Sequence, residues 1–394
     1  MIHFIYFVFT IIILELYYYY NYIKRRKYIR NYKHLIKNCN NNEMTQYYLK
    51  KLLTSELYFN EIGKFCNKDT KELSYLEISQ LIHTNIYGKQ RKCTLDELIE
   101  YKTIILNFKN TYQQDNNIFH SNNINTKMVS GLGHCGDFYK PIIIKIILWL
   151  LHNIFDIYIK YYLGYNIYYD NLSHYKYYSK KINKDKPIHM FFHGLGLGIP
   201  LYINLINEFD GENIVYVDVP YLSLRKEFDY LDDRMLHITF ENYIRQNGIK
   251  EKINLIGHSY GGIIIQKLLN NYESLIDKIY LIESPVFLIN VPHGIAYIYH
   301  KKFPFLAQYL IRNELNIIQI FLKSDTVINQ AFNLKNSSKC TCFFAELDEV
   351  LELDKTIQEL KSDNIKYYTY IGTHGEIIIN KKNLHFIKTK IFIS

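Results

Sequence analysis

The sequence predicts an α/β protein whose C-terminal half forms a doubly wound, mostly parallel sheet. From Pro187 onward, short apolar runs alternate with longer amphipathic ones, as strands alternate with helices in such sheets. Within this part, Lys252–Leu269 is typical of a buried strand, a sharp turn and a helix. The N-terminal segment is instead nearly continuous in apolar and aromatic residues. We therefore expect a membrane anchor over residues 1–23, a mainly helical extension over 24–180 and the sheet domain over 181–394.

Composition excludes several classes of partner. The chain has 394 residues, enough to bury a large core, and a net charge of +9. Its Lys and Arg residues are scattered along the whole chain and are not clustered with spaced aromatic residues on one element, so we expect no nucleic-acid partner. The six cysteines form no C-x-x-C pair and lack a histidine at metal-binding spacing. We therefore expect free thiols, and the sequence implies neither a metal nor an organic cofactor.

The N-terminal apolar segment predicts a single-pass anchor. Ile2–Tyr20 is followed by the basic cluster Lys24–Lys27, and a helix of about 20 apolar residues spans a bilayer. A cleaved signal peptide would carry its positive charge before the apolar run. By the positive-inside rule, the N-terminus lies outside and the rest of the chain in the cytosol. The alternative is a buried or interfacial helix, since Glu15 is costly at membrane depth.

A second apolar stretch, Pro141–Leu163, follows the polar and mainly helical part of the extension. Four polar residues interrupt it and argue against a second membrane span. They are Lys145, His152, Asp156 and Lys160. Their spacing places them near one face of a helix, so we expect an amphipathic helix that lies in an interface or packs on the core.

The alternation of strands and helices continues on both sides of Lys252–Leu269. The predicted strands are Ile188–Phe192, Ile214–Val219, Ile253–Ile256, Lys278–Ile282, Cys340–Ala345 and Ile365–Ile371. The apolar and aromatic stretch around 286–335 interrupts the alternation after the strand that follows the sharp turn. We interpret this stretch as a helical cap inserted into the sheet domain.

The sharp turn carries the sequence Gly257-His258-Ser259-Tyr260-Gly261, which matches the G-x-S-x-G nucleophile elbow. Such a turn holds the serine in a strained conformation and lifts its hydroxyl above the sheet. It also directs the next helix N-terminus at the reaction centre and leaves the Tyr260 N–H to bind an oxyanion. The alternative is a glycine-rich turn that carries no chemistry.

A glycine-rich loop follows the first predicted strand of the sheet domain. In His193–Gly198, three glycines within five residues allow the backbone to approach a substrate closely. The Leu195 N–H can serve as the second donor to an oxyanion. We predict that His193, Gly194 and Gly196 contact substrate.

Further along the chain, Asp348 and His374 follow the last two predicted strands. Several phrases of the sequence resemble α/β-hydrolases, particularly membrane-associated ones of fungi and other simple eukaryotes: FFHGLGLGIPLY, VDVPYLSLR, LIGHSYGG, ESPVFLINVP and THGEII. The resemblance implies the α/β-hydrolase fold from about residue 187 onward. It also implies a triad in the order serine, acid, histidine, with Ser259 as nucleophile, Asp348 as acid and His374 as base. Alternative carboxylates for the acid are Glu283, Glu346, Glu349 and Glu352.

The function implied is that of a membrane-anchored serine hydrolase that cleaves a carboxylic ester of a lipid or small acyl compound through an acyl-enzyme. The same triad could pass the acyl group to another acceptor in an acyltransferase, or act as a thioesterase. A protein of another class, a catalytically inactive scaffold of the hydrolase fold, is a further alternative. The expected partners are the acyl ester substrate and the membrane.

Overall fold

The computed structural model describes the following parts of the chain: residues 2–31, 42–54, 73, 75–87, 95–108, 139–171, 173–183, 185–223, 233–287, 290 and 338–393. The predicted cap around 286–335 lies almost entirely outside the described residues.

The described residues contain one sheet of eight strands. The strands are β1 (Asn166–Tyr169), β2 (Lys176–Ser179), β3 (Ile188–Phe192), β4 (Ile214–Asp218), β5 (Ile253–His258), β6 (Ile276–Ile282), β7 (Cys340–Ala345) and β8 (Lys366–Tyr370). Their order in the sheet is β1-β2-β4-β3-β5-β6-β7-β8. Strands β3 to β8 pair in parallel, whereas β2 is antiparallel to both of its neighbours. The doubly wound, mostly parallel sheet predicted from the sequence is therefore confirmed.

The described helices lie before, between and after the strands of the sheet. They are α1 (Ile2–Asn31), α2 (Asn42–Thr54), α3 (Tyr75–Tyr87), α4 (Leu95–Phe108), α5 (Ile142–Ile157), α6 (Ile203–Glu208), α7 (Asp233–Gln246), α8 (Gly261–Tyr272), α9 (Leu353–Ser362) and α10 (Lys381–Lys388). A π-helical turn, Tyr158–Tyr162, continues α5. Every residue of β3, β4 and β5 is buried, because packed elements cover both faces of the sheet. This explains why those strands are continuous apolar runs in the sequence.

The sheet begins earlier than the predicted domain boundary at residue 181. Strands β1 and β2 lie in the part of the chain that we had expected to be a helical extension, and β2 pairs with the edge of β4. Tyr177 and Tyr178 are both buried although they are adjacent in β2, so the strand contributes to both faces. A four-residue strand without apolar alternation carries little sequence signal. The domain that contains the sheet therefore includes β1 and β2.

The helices of the extension pack on the sheet domain. Leu52 of α2, Ile82 of α3 and Tyr101 of α4 belong to the same buried cluster as Leu255 of β5. As predicted, the described residues of the extension before residue 109 are helical, apart from Leu73, which lies in a bend.

One helix among the described residues, Ile142–Tyr162, is long and apolar enough to cross a membrane by length and composition. It comprises α5 and the π-helical turn. The predicted anchor over residues 1–23 falls within α1, where the aromatic run Tyr17–Tyr20 is exposed. A membrane crossing by that segment stays a prediction.

The start of α8 lies in direct contact with the neighbouring strands. A Cβ atom on Gly261 would lie 2.1 Å from the carbonyl oxygen of Phe192 at the end of β3. A Cβ atom on Gly262 would lie 1.9 Å from Ser284 Oγ, just after β6. Real Cβ contacts are never this short, so α8 can approach β3 and β6 this closely only because both positions are glycine.

We predict that Gly261→Ala lowers the free energy of unfolding by about 1–3 kcal/mol, because the helix must move away from the Phe192 carbonyl. The control is Gln246→Ala, at an exposed position at the end of α7, which should change stability by less than about 0.5 kcal/mol. Denaturant unfolding followed by circular dichroism measures both. Equal stability of the two variants would contradict the close packing of α8.

Candidate active site

The chain turns sharply at Ser259, immediately after β5. Ser259 has φ +50°, in the left-handed region that non-glycine residues seldom adopt. Its backbone is held from both sides: the Ser259 N–H donates to Ile282 O at 2.8 Å, and the Ser284 hydroxyl donates to Ser259 O at 2.8 Å. The end of β6 therefore fixes the strained turn, which presents the serine side chain at the carboxyl edge of the sheet.

A histidine and an aspartate approach Ser259 from the loops after β8 and β7. Ser259 Oγ lies 3.0 Å from Nε2 of His374, and His374 Nδ1 lies 2.8 Å from Oδ2 of Asp348. Because a carboxylate only accepts hydrogen bonds, Nδ1 carries the proton and Nε2 of the neutral ring is the acceptor. In this arrangement His374 can take the Ser259 proton, as a general base does.

Asp348 is held in place by the backbone that follows it. Its second oxygen, Oδ1, accepts hydrogen bonds from the N–H groups of Val350 at 2.8 Å and Leu351 at 3.0 Å. The carboxylate is buried, and these bonds orient Oδ2 toward His374. Among the carboxylates that the sequence offers as the acid, Asp348 is the one that hydrogen-bonds to His374 Nδ1.

The surroundings of His374 favour its charged form. Burial by itself lowers the pKa of His374, but the hydrogen bond and charge of Asp348 and the charge of Glu283 outweigh it, so the net pKa lies above the ordinary 6.5. The imidazolium that forms after proton transfer from a serine is therefore stabilised.

A second buried carboxylate, Glu283, lies at the end of β6 between the loops that carry Ser259 and Asp348. It adopts φ +47° and is completely buried. Its oxygens accept hydrogen bonds from the Tyr370 hydroxyl at 2.5 Å, the Gly375 N–H at 2.6 Å and His258 Nε2 at 3.0 Å. Burial raises the pKa of Glu283, but the bond to His258 and the nearby histidine charges prevail and lower it. Glu283 is therefore ionised, and it binds the residues next to both Ser259 and His374.

The hydrogen bonds continue from His258 to the glycine-rich loop. Since Glu283 can only accept, His258 Nε2 is the donor. The Tyr202 hydroxyl then donates to His258 Nδ1 at 2.7 Å and accepts from the Gly194 N–H at 2.9 Å. Glu283 thus fixes the glycine-rich loop, through two side chains, next to the turn at Ser259.

The predicted oxyanion donors lie on the two segments beside Ser259. A Cβ atom on Gly194 would lie 2.9 Å from the Ser259 Cβ, so the loop rests directly against the serine. The Leu195 N–H donates no hydrogen bond within the described part of the chain. Tyr260 directly precedes α8, where the helix dipole favours negative charge. The binding of an oxyanion by these two N–H groups stays a prediction.

The two other residues predicted to bind substrate hold the loop to β4. His193 is completely buried: its Nε2 accepts from the Val219 N–H at 2.9 Å, and its Nδ1–H donates to Gly194 O at 2.6 Å. The Gly196 N–H donates to Leu222 O at 3.0 Å. The His193 side chain therefore holds the loop in place, and a substrate contact at this residue stays a prediction.

Three candidate metal ligands also coincide with this site. Glu283, Asp348 and His374 each place one possible ligand atom within 4.8 Å of the others. However, both nitrogens of His374 and the oxygens of both carboxylates have the hydrogen-bond partners described above. The cluster is accounted for by protein contacts.

Two residues of this site have no signal in the sequence. Tyr202 lies in the 3₁₀ turn after the glycine-rich loop, and Tyr370 is the last residue of β8. In a chain with 39 tyrosines neither is distinctive. Glu283 was recognisable only as a carboxylate after a strand, and its partners come from tertiary contacts.

The sheet domain is similar in sequence to a known family. Residues 190–323 match the family model described as the alpha/beta hydrolase fold. The chain has the α/β-hydrolase fold. No curated protein sequence matches it significantly.

Solved structures similar to this chain include esterases and a phospholipase. A bacterial membrane phospholipase A is 13% identical with a TM-score of 0.40, over 60% of this chain and 89% of the other. The naproxen esterase of Bacillus subtilis is 10% identical with a TM-score of 0.43, over 61% and 96%. A carboxylesterase of Bacillus subtilis is 12% identical with a TM-score of 0.42, over 63% and 98%.

We predict that Glu283→Gln lowers the pKa of His374, because it removes one of the negative charges that stabilise the imidazolium. NMR titration of the His374 ring in the folded protein measures this without relying on activity. The control is Glu346→Gln, at an exposed carboxylate that accepts from Thr369 Oγ1 at 3.2 Å. A His374 pKa that is the same in both variants and the unsubstituted protein would contradict this electrostatic role of Glu283.

Proposed function

We propose that this α/β hydrolase cleaves a carboxylic ester through a covalent acyl-enzyme on Ser259. The observation that carries the proposal is the continuous hydrogen-bond chain from Ser259 through His374 to Asp348. It begins at a serine held in a strained turn at the carboxyl edge of the sheet. A serine hydroxyl is a weak nucleophile unless a neighbouring base accepts its proton. The geometry supplies that base and orients it.

In the proposed acylation step, Ser259 Oγ attacks the carbonyl carbon of the ester while its proton passes to His374 Nε2. The carbonyl oxygen becomes an oxyanion, which the N–H groups of Leu195 and Tyr260 bind. When the tetrahedral intermediate collapses, His374 returns the proton to the leaving alkoxide, and the alcohol departs. Asp348 keeps Nδ1 protonated throughout and stabilises the imidazolium.

In the proposed deacylation step, water takes the place of the alcohol. His374 removes one proton from the water, whose oxygen attacks the acyl carbon and forms a second tetrahedral intermediate. The proton then returns to Ser259 Oγ, the ester bond to the enzyme breaks, and the carboxylic acid leaves. If an alcohol or a thiol enters instead of water, the same steps run as acyl transfer, which is the second function for which this site is equipped.

We further propose that the substrate is a lipid or another acyl ester met at a membrane. Support comes from exposed apolar residues on α1 and α5, and from the length and composition of Ile142–Tyr162. The proposed topology is a single pass through residues 1–23, with the catalytic domain in the cytosol.

We predict that Ser259→Ala lowers kcat for hydrolysis of p-nitrophenyl esters by roughly 10⁶-fold and abolishes covalent labelling by a fluorophosphonate. His374→Ala should be similarly impaired, because Ser259 then lacks its base. Esters of short and long acyl chains, assayed in parallel, define the preferred chain length. A folded wild-type protein that neither reacts with the fluorophosphonate nor hydrolyses esters would favour the inactive scaffold.

Asp348→Asn should lower kcat by about 10³–10⁴-fold, because the amide cannot hold the His374 tautomer or stabilise the imidazolium. Glu346→Gln, an exposed carboxylate on the same loop, should retain wild-type kcat. If both variants keep wild-type activity, the acid is assigned incorrectly.

The pH dependence of ester hydrolysis follows from the raised pKa of His374. Only the neutral imidazole accepts the Ser259 proton, so kcat/KM should fall on the acid side with an apparent pKa above 6.5. Glu283→Gln should shift this acid-side decrease in kcat/KM to lower pH. An unchanged decrease in Glu283→Gln would show that the protonation of His374 does not control it.

A further inference from the structure

Helix α5 directs its apolar side chains outward. The large apolar residues exposed on it and on the following π-helical turn are Ile143, Ile146, Ile147, Trp149, Leu150, Leu151, Ile154, Ile157, Tyr161 and Tyr162. We call this set the α5 face. Monomeric soluble proteins seldom expose so many large apolar residues side by side, so a surface of this kind marks a contact with a partner or a membrane.

Two polar residues of α5, His152 and Asp156, instead contact the protein. His152 is buried, with Nδ1 2.8 Å from Leu148 O. Asp156 accepts from the Tyr178 hydroxyl at 2.8 Å and forms an ion pair with Lys176, both on β2. The polarity of the helix is therefore reversed relative to an ordinary surface helix. The Asp156 contacts also hold the C-terminal half of α5 on the sheet, so the helix cannot cross a bilayer while they last.

The position of α5 relative to the active site follows from the register of β2 with β4. Lys176 lies opposite Asp218, the last residue of β4, so it is level with the carboxyl edge of the sheet. The ion pair with Asp156 places that part of α5 at the same level. Ser259, Asp348 and His374 all follow strands at this edge.

The direction of the helix follows from the residues after it. Tyr165 packs against the ring of Tyr216, inside β4, at 5.9 Å, and Lys180 Nζ lies 5.2 Å from the Tyr165 ring centre. The chain thus runs from the carboxyl edge toward the amino edge after Asp156. The preceding part of α5, about 20 Å long at 1.5 Å per residue, extends the other way, past the edge that carries the candidate site. Helix α5 also contacts the 3₁₀ turn Ile199–Tyr202, which follows the glycine-rich loop.

Helix α1 joins α5 at this end. Glu15 Oε2 accepts the Ile142 N–H at 2.9 Å and so caps the first turn of α5, and the Tyr139 hydroxyl donates to Glu15 O at 3.3 Å. Lys145 Nζ lies 5.9 Å from the ring centre of Tyr18. Glu15, the residue that argued against a membrane role for the N-terminal segment, is thereby used as a helix cap. Exposed residues Ile11–Leu14 and Tyr17–Tyr20 of α1 extend the α5 face.

We propose that the α5 face and α1 form a docking surface for a lipid bilayer, with α5 lying in the interfacial layer so that the carboxyl edge of the sheet faces the membrane. Three features favour lipid over a protein partner. Trp149, Tyr161 and Tyr162 are exposed, and such amphipathic rings suit the interface. Lys24 and Lys27 on α1 and Lys160 beside the face are exposed cations that suit anionic headgroups. The polar side of α5 is already occupied by the protein.

The single tryptophan of the chain tests this surface directly, since Trp149 belongs to the α5 face and is 60% exposed. The full-length protein is mixed with vesicles of phosphatidylcholine and phosphatidylserine that carry brominated acyl chains. We expect the emission of Trp149 to shift to shorter wavelength and to be quenched, most strongly by bromines near the headgroup end of the chains. This readout does not depend on ester hydrolysis.

The variant Ile146→Glu/Leu150→Glu places two charges on the α5 face on either side of Trp149. It should remove most of the blue shift and of the bromine quenching of Trp149 at a given lipid concentration, because charged side chains do not enter the acyl-chain region readily. The matched control is Ile238→Glu, which places one charge at an exposed apolar position on α7, and it should bind as the wild type does.

Three outcomes would overturn the proposal. Full-length protein that sediments with the vesicles while Trp149 keeps its aqueous emission would show that α1 alone holds the membrane. Quenching that is strongest at the bilayer centre would replace the interfacial position by a span. A blue shift that rises with protein concentration without lipid would identify the partner as a second copy of the chain.

Discussion

The turn at Ser259 is the constraint on which the rest of the site depends. Its left-handed backbone is unfavourable for a serine by about 1 kcal/mol or more, and it persists because the surrounding structure holds it. Ile282 and Ser284 bind the turn from the end of β6. Gly261 lets α8 start directly against the last carbonyl group of β3. One turn therefore brings together the nucleophile, the helix N-terminus and the glycine-rich loop. The loops after β7 and β8 reach the same point because parallel strands end at the same edge of the sheet.

Two carboxylates converge on the histidine from neighbouring strands, and their surroundings give them different roles. Asp348 contacts His374 directly and is oriented by two backbone N–H groups. Glu283 contacts the residues next to Ser259 and His374 and acts on the imidazole through its charge. A buried carboxylate is costly unless its oxygens are hydrogen-bonded, and Glu283 satisfies this requirement with Tyr370, Gly375 and His258. The same bonds that make its burial tolerable connect the elbow, the glycine-rich loop and the histidine loop.

The reversed polarity of α5 connects the site to its surroundings. A helix that buries His152 and pairs Asp156 with β2 is held by polar contacts, so its apolar side remains available to a non-aqueous phase. Because the register of β2 places that ion pair at the carboxyl edge, the exposed surface and the candidate nucleophile belong to the same end of the molecule. An enzyme acting on esters of membrane lipids would need this arrangement, since its substrate does not leave the membrane readily.

Local patterns in the sequence were sufficient for the strand–turn–helix at Ser259, the parallel strands β3 to β8 near their observed bounds, and the chain order of Ser259, Asp348 and His374. These features depend on the types of residue and their spacing along the chain, and the apolar runs and glycines that mark them are visible in the sequence. The antiparallel strands β1 and β2 were not predicted, because four-residue tyrosine-rich strands resemble their flanks. The partners of Glu283 and the outward side of α5 were decided by tertiary structure alone, as was the contact between His374 and Asp348, the acid that the resemblance implies. Each depends on which distant segments become neighbours, and a hydrogen bond such as that from Gly375 to Glu283, 92 residues apart, leaves no local pattern in the chain.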